Sequence, residues 1–174
     1  MKTFRVFKRK RKKRKVNPVD MIDSSIFLGF IFDEDNKFKE YLNVVGYKNQ
    51  NKGSITNSLM GEILTNIFVK VKDENKIEQS LLRTKVFGLL DQIMTKLIEE
   101  GKLEIIKLNK SNFDFDIFNN IKGIDYAISD DDAIHLTSAI IMNCQNFVTS
   151  DKLAENKILC EKIKSEYNLN IKKI

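Results

Sequence analysis

Hydrophobic residues follow two different spacings along this chain, and segments of the two kinds alternate from residue 19 to the end. Short apolar runs bounded by polar residues are typical of buried strands, whereas apolar residues that recur every three or four positions indicate helices. Strands are therefore predicted at 19–22, 54–56, 103–108, 147–149 and 168–174. Helices are predicted at 37–46, 59–70, 77–100, 115–120, 131–142 and 153–167.

The predicted helix at 59–70 has one apolar face, because its hydrophobic residues recur at helical spacing. These residues are Met60, Leu64, Ile67, Phe68 and Val71. The helix at 131–142 is apolar on most sides and is therefore expected to be buried. Two glycines mark predicted chain reversals: Gly101 in the favoured position after a helix, and Gly123 in a turn.

Alternating strands and helices predict an α/β fold with three layers, α/β/α, around a central, mostly parallel sheet. Ligands of such sheets bind at the carboxyl ends of the strands. Asp23 and Asp151 both lie at the carboxyl end of a predicted strand. This placement is the first indication that the two acids belong to one site.

Charge divides the chain into two parts. Ten of the first 15 residues are lysine or arginine, and the rest of the chain holds 20 basic and 24 acidic residues. A run of like charges with little to bury does not fold alone, so residues 1–17 are predicted to be a disordered basic arm and residues 18–174 one domain. Basic runs bind nucleic-acid phosphates. The residues predicted to do so are Lys8, Arg9, Lys10, Arg11, Lys12, Lys13, Arg14 and Lys15.

The composition excludes several classes of protein. No apolar run approaches the roughly 18 residues that a membrane span needs, and no apolar segment follows the basic start as a secretory signal requires. Cys144 and Cys160 are too far apart for a thiol-redox pair, and a single histidine gives no partner for a zinc site. A cytoplasmic protein without a membrane association is expected.

Each candidate acid also has an ordinary structural explanation. Asp23 and Asp151 are placed where turn or helix-capping residues often lie, and Asp132 is one of three acids at a helix start. Glu62 is either a solvent-facing helix residue or part of a capping box, but it follows Ser58 by four positions instead of the required three. Taken together, the order of strand-end, helix, helix-start and strand-end acids favours a shared site.

Four short segments carry a resemblance to the PIN domain family of nucleases. They are MIDSS at 21–25, MGEIL at 60–64, DAIHLTSA at 132–139 and VTSD at 148–151. Their order and spacing resemble the family over roughly residues 19–174. The resemblance implies a sheet flanked by helices and a metal-dependent endonuclease that cleaves single-stranded RNA.

The resemblance also implies which residues act. Asp23, Glu62, Asp132 and Asp151 would be the catalytic and metal-binding residues, and carboxylate oxygens favour Mg²⁺ or Mn²⁺. We expect Asp23 and Asp151 to be direct ligands, with Glu62 and Asp132 holding a second ion or acting through water. Asp130 and Asp131 are expected to be helix caps or to lie further from the ion. Candidates for supporting or substrate-contacting roles are Ser25, Asp131, His135, Thr149 and Lys152.

Many members of the family are toxins of toxin–antitoxin pairs, and many form homodimers. The resemblance therefore implies a homodimer, an antitoxin partner, and RNA targets such as ribosomal or transfer RNA. One alternative is an RNA- or DNA-binding module that keeps the fold without turnover and uses the basic arm. A receiver domain or an Asp-nucleophile phosphatase fits less well. The phosphatase needs a second aspartate two residues after the first, and Asp23 is followed by Ser24 and Ser25.

Overall fold

The structure, a computed structural model, describes residues 19–32, 34–47, 50–71 and 76–174, without the side chains of 76–78. The predicted basic arm, with residues 8–15, lies outside the described residues. Among the described residues there are five strands: β1 (Val19–Ile22), β2 (Lys52–Thr56), β3 (Leu103–Ile106), β4 (Asn146–Thr149) and β5 (Asn170–Lys173). The helices are α1 (Ser24–Ile31), α2 (Asn36–Val44), α3 (Asn57–Lys70), α4 (Lys76–Glu99), α5 (Phe115–Ile124), α6 (Asp130–Ile141) and α7 (Lys157–Tyr167), with a 3-10 turn at Lys152–Glu155.

The sheet confirms the predicted α/β architecture. All five strands are parallel, in the order β3-β2-β1-β4-β5. Right-handed crossovers place α1 to α4 on one face and α5 to α7 on the other. The helix contacts agree, since α1 packs against α2, α3 and α4, and α5 packs against α6 and α7. The three layers are therefore α/β/α.

The central strand pair sets the position of the site. The chain leaves β1 toward β2 on one side and leaves β4 toward β5 on the other, although β1 and β4 are neighbours. At such a switch point the connections diverge and leave a crevice at the carboxyl ends of the strands. Asp23 follows β1 directly, and its backbone N–H donates to the carbonyl of Val148 at 2.9 Å. Asp151 follows β4 by two residues.

The predicted apolar face of α3 is confirmed at Ile67 and Val71, which are fully buried, and is otherwise displaced by one residue. Leu59, Ile63 and Ile67 are fully buried, whereas Leu64 and Phe68 are substantially exposed. The helix is apolar over a wide arc, so two neighbouring rows of residues fit the same spacing. Contact with α1 selects the row that begins at Leu59.

Other differences concern helix boundaries. The apolar run after Asp23, to which spacing assigns no element, is the helix α1. Its lack of periodicity follows from its burial on most sides. The turn predicted at Gly123 is wrong, because α5 continues to Ile124. Gly101 does reverse the chain, with a φ of +67°. None of the described helices has the length and apolarity needed to cross a membrane.

Candidate active site

Asp23 is a buried carboxylate held by two hydroxyl groups. Its side chain is 3% exposed. Oδ2 accepts hydrogen bonds from Ser25 Oγ and Thr149 Oγ1, each at 2.7 Å. Asp23 occupies the N-cap position of α1 but makes no capping bond, so capping does not explain it. Burial raises its pKa, although the bonds from Ser25 and Thr149 act in the opposite direction.

Asp151 lies beside Asp23 on the neighbouring strand end. Its backbone N–H donates to Thr149 Oγ1 at 3.0 Å, and its side chain caps no helix. The carboxylate reaches solvent, yet partial burial and the nearby charges of Asp23, Asp132 and Glu62 raise its pKa to about 6. The charges of the other three predicted acids therefore all act on Asp151.

Glu62 is fixed by two polar contacts from other helices. Ser24 Oγ on α1 donates to Glu62 Oε1 at 2.8 Å, and His135 Nε2 on α6 lies 2.7 Å from Oε2. Burial acts to raise the pKa of Glu62, but the bonds from His135 and Ser24 outweigh it and lower the pKa. Thr56 caps α3, so Glu62 has no capping role.

His135 is both a buried histidine and a neighbour of the acidic site. It is 1% exposed and so belongs to the buried interior, and it also contacts the acidic site through Glu62. Its other ring nitrogen, Nδ1, is buried and has no hydrogen-bond partner among the described residues. The ring thus joins α6 to α3 through the Glu62 carboxylate.

The start of α6 differs from the prediction for its acids. Ser129 is the N-cap, since its Oγ accepts from the Asp132 N–H at 3.0 Å and donates to Asp132 Oδ2 at 2.7 Å. Asp130 pairs instead with Lys122, at 2.9 Å, and Asp131 is exposed. Neither Asp130 nor Asp131 caps the helix, because the serine already accepts the N–H that a cap would satisfy.

A polar cleft of about 350 Å³ opens beside two of the acids. It is lined among others by Ser129, Asp132, Asp151, Lys152 and Asn156. Lys152, in the 3-10 turn, is exposed at this cleft and is the basic residue among those that line it. The cleft gives solvent and solutes access to the carboxylates.

Two positioning residues were not predicted from the sequence. Ser24 donates to Glu62, and only its position next to Asp23 could have pointed to it. Ser129 orients Asp132, and the serine three residues before an acid is a recognisable capping pattern. Within the described part of the chain, no three acidic, histidine or cysteine side chains are already arranged to hold one ion.

Comparison by sequence finds no family model and no curated protein that matches. Comparison by structure does find similar folds. The crystal structure of VapBC2 from Rickettsia felis, bound to a DNA fragment from their promoter, has a TM-score of 0.57 and 17% identity, covering 90% of this chain and 98% of that one. The fold is PIN-like.

Two further structures share the PIN-like fold. PAE2754 from Pyrobaculum aerophilum has a TM-score of 0.51 and 10% identity, covering 88% of this chain and 83% of that one. VapBC-1 from nontypeable Haemophilus influenzae has a TM-score of 0.51 and 12% identity, covering 89% and 97%. The structural similarity establishes the PIN-like fold of this chain. At identities this low it does not establish the activity, which must be argued from the chemistry of the site.

Proposed function

We propose that this protein is a metal-dependent endoribonuclease that cleaves single-stranded RNA at the four carboxylates. The observation that carries the proposal is the position of Asp151 at the switch point of the sheet, where the charges of the other three acids act on its carboxylate. Asp151 has a pKa of about 6 because of its burial and the charges of Asp23, Asp132 and Glu62. Strongly perturbed carboxyls in a cleft are typical of catalytic sites.

A divalent cation fits the donor set. Among the described residues, no lysine or arginine forms an ion pair with any of the four acids, so their charge is unbalanced. Oxygen ligands without thiolates favour Mg²⁺ or Mn²⁺. Asp23 and Asp151 would hold the ion directly, and the other acids would act through water, which Mg²⁺ retains readily.

The chain's own residues would position the ligands. Thr149 and Ser25 fix the Asp23 carboxylate, while Ser24 and His135 fix Glu62. Ser129 holds Asp132 at the first turn of α6. When bound, the cation would orient the scissile phosphate, acidify a water and stabilise the leaving oxygen. Lys152 stands in the cleft where a substrate phosphate would enter.

The proposal extends to partners. Two of the similar structures are named as VapBC assemblies, which supports an antitoxin partner for this chain. We also propose that the chain forms a homodimer and that its basic arm contacts RNA. Ribosomal or transfer RNA are the substrates to test first.

Cleavage of a mixed single-stranded RNA pool, with and without Mg²⁺ or Mn²⁺, tests the activity. We expect metal-dependent products. Asp23→Asn and Asp151→Asn should each reduce the rate by roughly 100-fold or more, because each removes a direct ligand. Asp91→Asn is the matched control, since Asp91 is an exposed acid on α4. Undiminished cleavage in both site variants would contradict the assignment of Asp23 and Asp151 as metal ligands.

The second candidate is a binding module without turnover, favoured by the ten basic residues in the first 15. It predicts RNA binding that is independent of divalent metal, and no product ends in the same assay. Metal-dependent cleavage products would support the nuclease and exclude a module that only binds RNA.

A further inference from the structure

The second depression on the edge of the sheet that carries the acids is apolar. It has a volume of about 530 Å³ and lies between the segment after β3 and the first turns of α3, α5 and α6. It is lined by Phe113, Phe115 and Phe118, together with Ser58 and Ile134 among others. We call it the phenylalanine groove.

The three rings form a rigid, preformed wall. Phe113 lies edge-on to Phe115 with ring centroids 5.0 Å apart, and 6.1 Å from Phe118. Asp114 caps α5 by accepting from the N–H groups of Asp116 and Ile117, which fixes the backbone between the rings. Even so, Phe115 remains 59% exposed. An exposed ring on a fixed backbone offers a flat apolar face at little entropic cost.

The phenylalanine groove adjoins the carboxylates. Ser58 lies one helical turn before Glu62 on α3, a rise of about 6 Å along the axis. Ile134 directly precedes His135, the residue that hydrogen-bonds Glu62. The groove and the polar cleft thus flank the acids, the groove on the side of α3 and the cleft on the side of Asp151.

The charges of the two depressions differ. The polar cleft is lined by Asp125, Asp132 and Asp151, whereas the phenylalanine groove has no acidic residue and one basic residue, Lys110. Lys110 is exposed and makes no ion pair among the described residues. An anionic ligand with a planar apolar part would place its plane on the rings and its charge near Lys110.

We propose that the phenylalanine groove is a nucleobase subsite, which stacks one unpaired base of the RNA strand next to the bond that is cut. The inference rests on the proposed function and adds to it a place where one base of the single strand is held. Bases stack on aromatic side chains with little regard to sequence, and only unpaired bases expose the required faces. Phe115 supplies the stacking face, and Lys110 contacts the adjacent phosphate.

The test uses the full chain in EDTA with single-stranded oligoribonucleotides that carry 2-aminopurine at one position at a time. Stacking quenches this fluorescent base, so we expect quenching at one position of the bound strand. Phe115→Ala should abolish the quenching and weaken binding about 5- to 150-fold, the usual contribution of one stacked base. With metal, the same variant should raise KM more than it lowers kcat.

Two variants separate stacking from mere apolarity. Phe115→Tyr keeps an aromatic face and should retain quenching, whereas Phe115→Leu keeps apolar area and should lose it. Phe68→Ala, a half-exposed phenylalanine on α3 outside the groove, is the matched control and should bind as the wild type does. Equal RNA affinity and quenching in Phe115→Ala would overturn the subsite. Full retention of the quenching in Phe115→Leu would also overturn it, because the base would then be held without stacking on an aromatic ring.

The outcomes for the subsite and for catalysis are distinguishable. Quenching that requires Phe115, in a protein that cuts no RNA with metal, supports the subsite and refutes the nuclease. Metal-dependent cleavage with the wild-type KM in Phe115→Ala refutes the subsite and leaves the nuclease standing.

Discussion

Single side chains determine the charge state of the carboxylates at the candidate site. Hydroxyl groups of Ser25 and Thr149 stabilise the ionised form of Asp23, while burial favours its neutral form and raises its pKa. At Glu62 the hydrogen bonds from His135 and Ser24 outweigh the effect of burial, so its pKa is lowered. The pKa of Asp151 is raised by burial and by all three neighbouring acids. It is therefore the residue whose charge should most affect stability.

We predict that Asp151→Asn stabilises the metal-free protein at neutral pH. The folded-state pKa of about 6 exceeds the ordinary value of 3.8, so ionisation of Asp151 costs stability. The penalty is absent below about pH 4, where the carboxyl is protonated in both states, and is complete above about pH 6. The change in pKa would be worth about 3 kcal/mol for a buried group, and we expect about 1 kcal/mol because Asp151 is exposed to screening solvent.

Urea unfolding in EDTA at pH 4 and at pH 7.5 measures this difference. Asp91→Asn, which removes an exposed acid from α4, should leave the free energy of unfolding unchanged at both values. Added Mn²⁺ should raise the melting temperature of the wild type more than that of Asp151→Asn. A variant that is less stable than the wild type at pH 7.5 contradicts the predicted repulsion.

At the scale of elements, the contact between α1 and α2 depends on a missing side chain. A Cβ at Gly29 of α1 would overlap the ring of Phe38 on α2, and that ring is buried and cannot move aside. Gly29→Ala should therefore destabilise the fold by about 1–3 kcal/mol. A Cβ at Gly88 in α4 would meet nothing within 4 Å, so Gly88→Ala should stabilise by about 0.5–1 kcal/mol.

The same urea unfolding assay compares the two glycine variants, and far-ultraviolet circular dichroism confirms that both retain their helices. The pair is informative because each substitution adds one methyl group inside a helix. Equal effects of the two would show that helix propensity, and not the packing of α1 on α2, determines the result.

Most elements are predictable from the sequence because their apolar spacing is local. The strands β1 and β4 were located within one residue, which also placed Asp23 and Asp151 at the correct edge. What failed depends on contacts distant in sequence. The row of α3 that is buried is selected by α1, and α1 itself has no periodicity because it is surrounded by protein. The link from His135 to Glu62 joins residues 73 positions apart, and no spacing rule detects it.

At the scale of the whole molecule, the switch point between β1 and β4 explains why dispersed acids meet. Strands β1 and β4 bring Asp23 and Asp151 to one edge, while α3 and α6, from opposite faces of the sheet, bring Glu62 and Asp132 above it. The two depressions then extend from this centre in opposite directions. A strand of RNA lying across the edge would meet aromatic rings on one side and Lys152 on the other.

The described domain offers little positive charge for such a strand, which makes the basic arm the expected source of affinity. Beyond the first 15 residues the chain holds 20 basic and 24 acidic residues, and Arg83, its only arginine after residue 15, lies over the ring of Phe68.

Deletion of residues 1–15 should weaken RNA binding and flatten its dependence on salt, by roughly 0.7 in the log–log slope for each phosphate that the arm neutralises in the intact protein. Titrations of a fluorescent single strand between low and high salt measure both slopes. A chain in which the basic residues of 8–15 are replaced by glutamine keeps the arm's length and should behave as the deletion does. An unchanged slope in the deletion would mean that the phosphates are bound by the domain itself, through lysines such as Lys110 and Lys152.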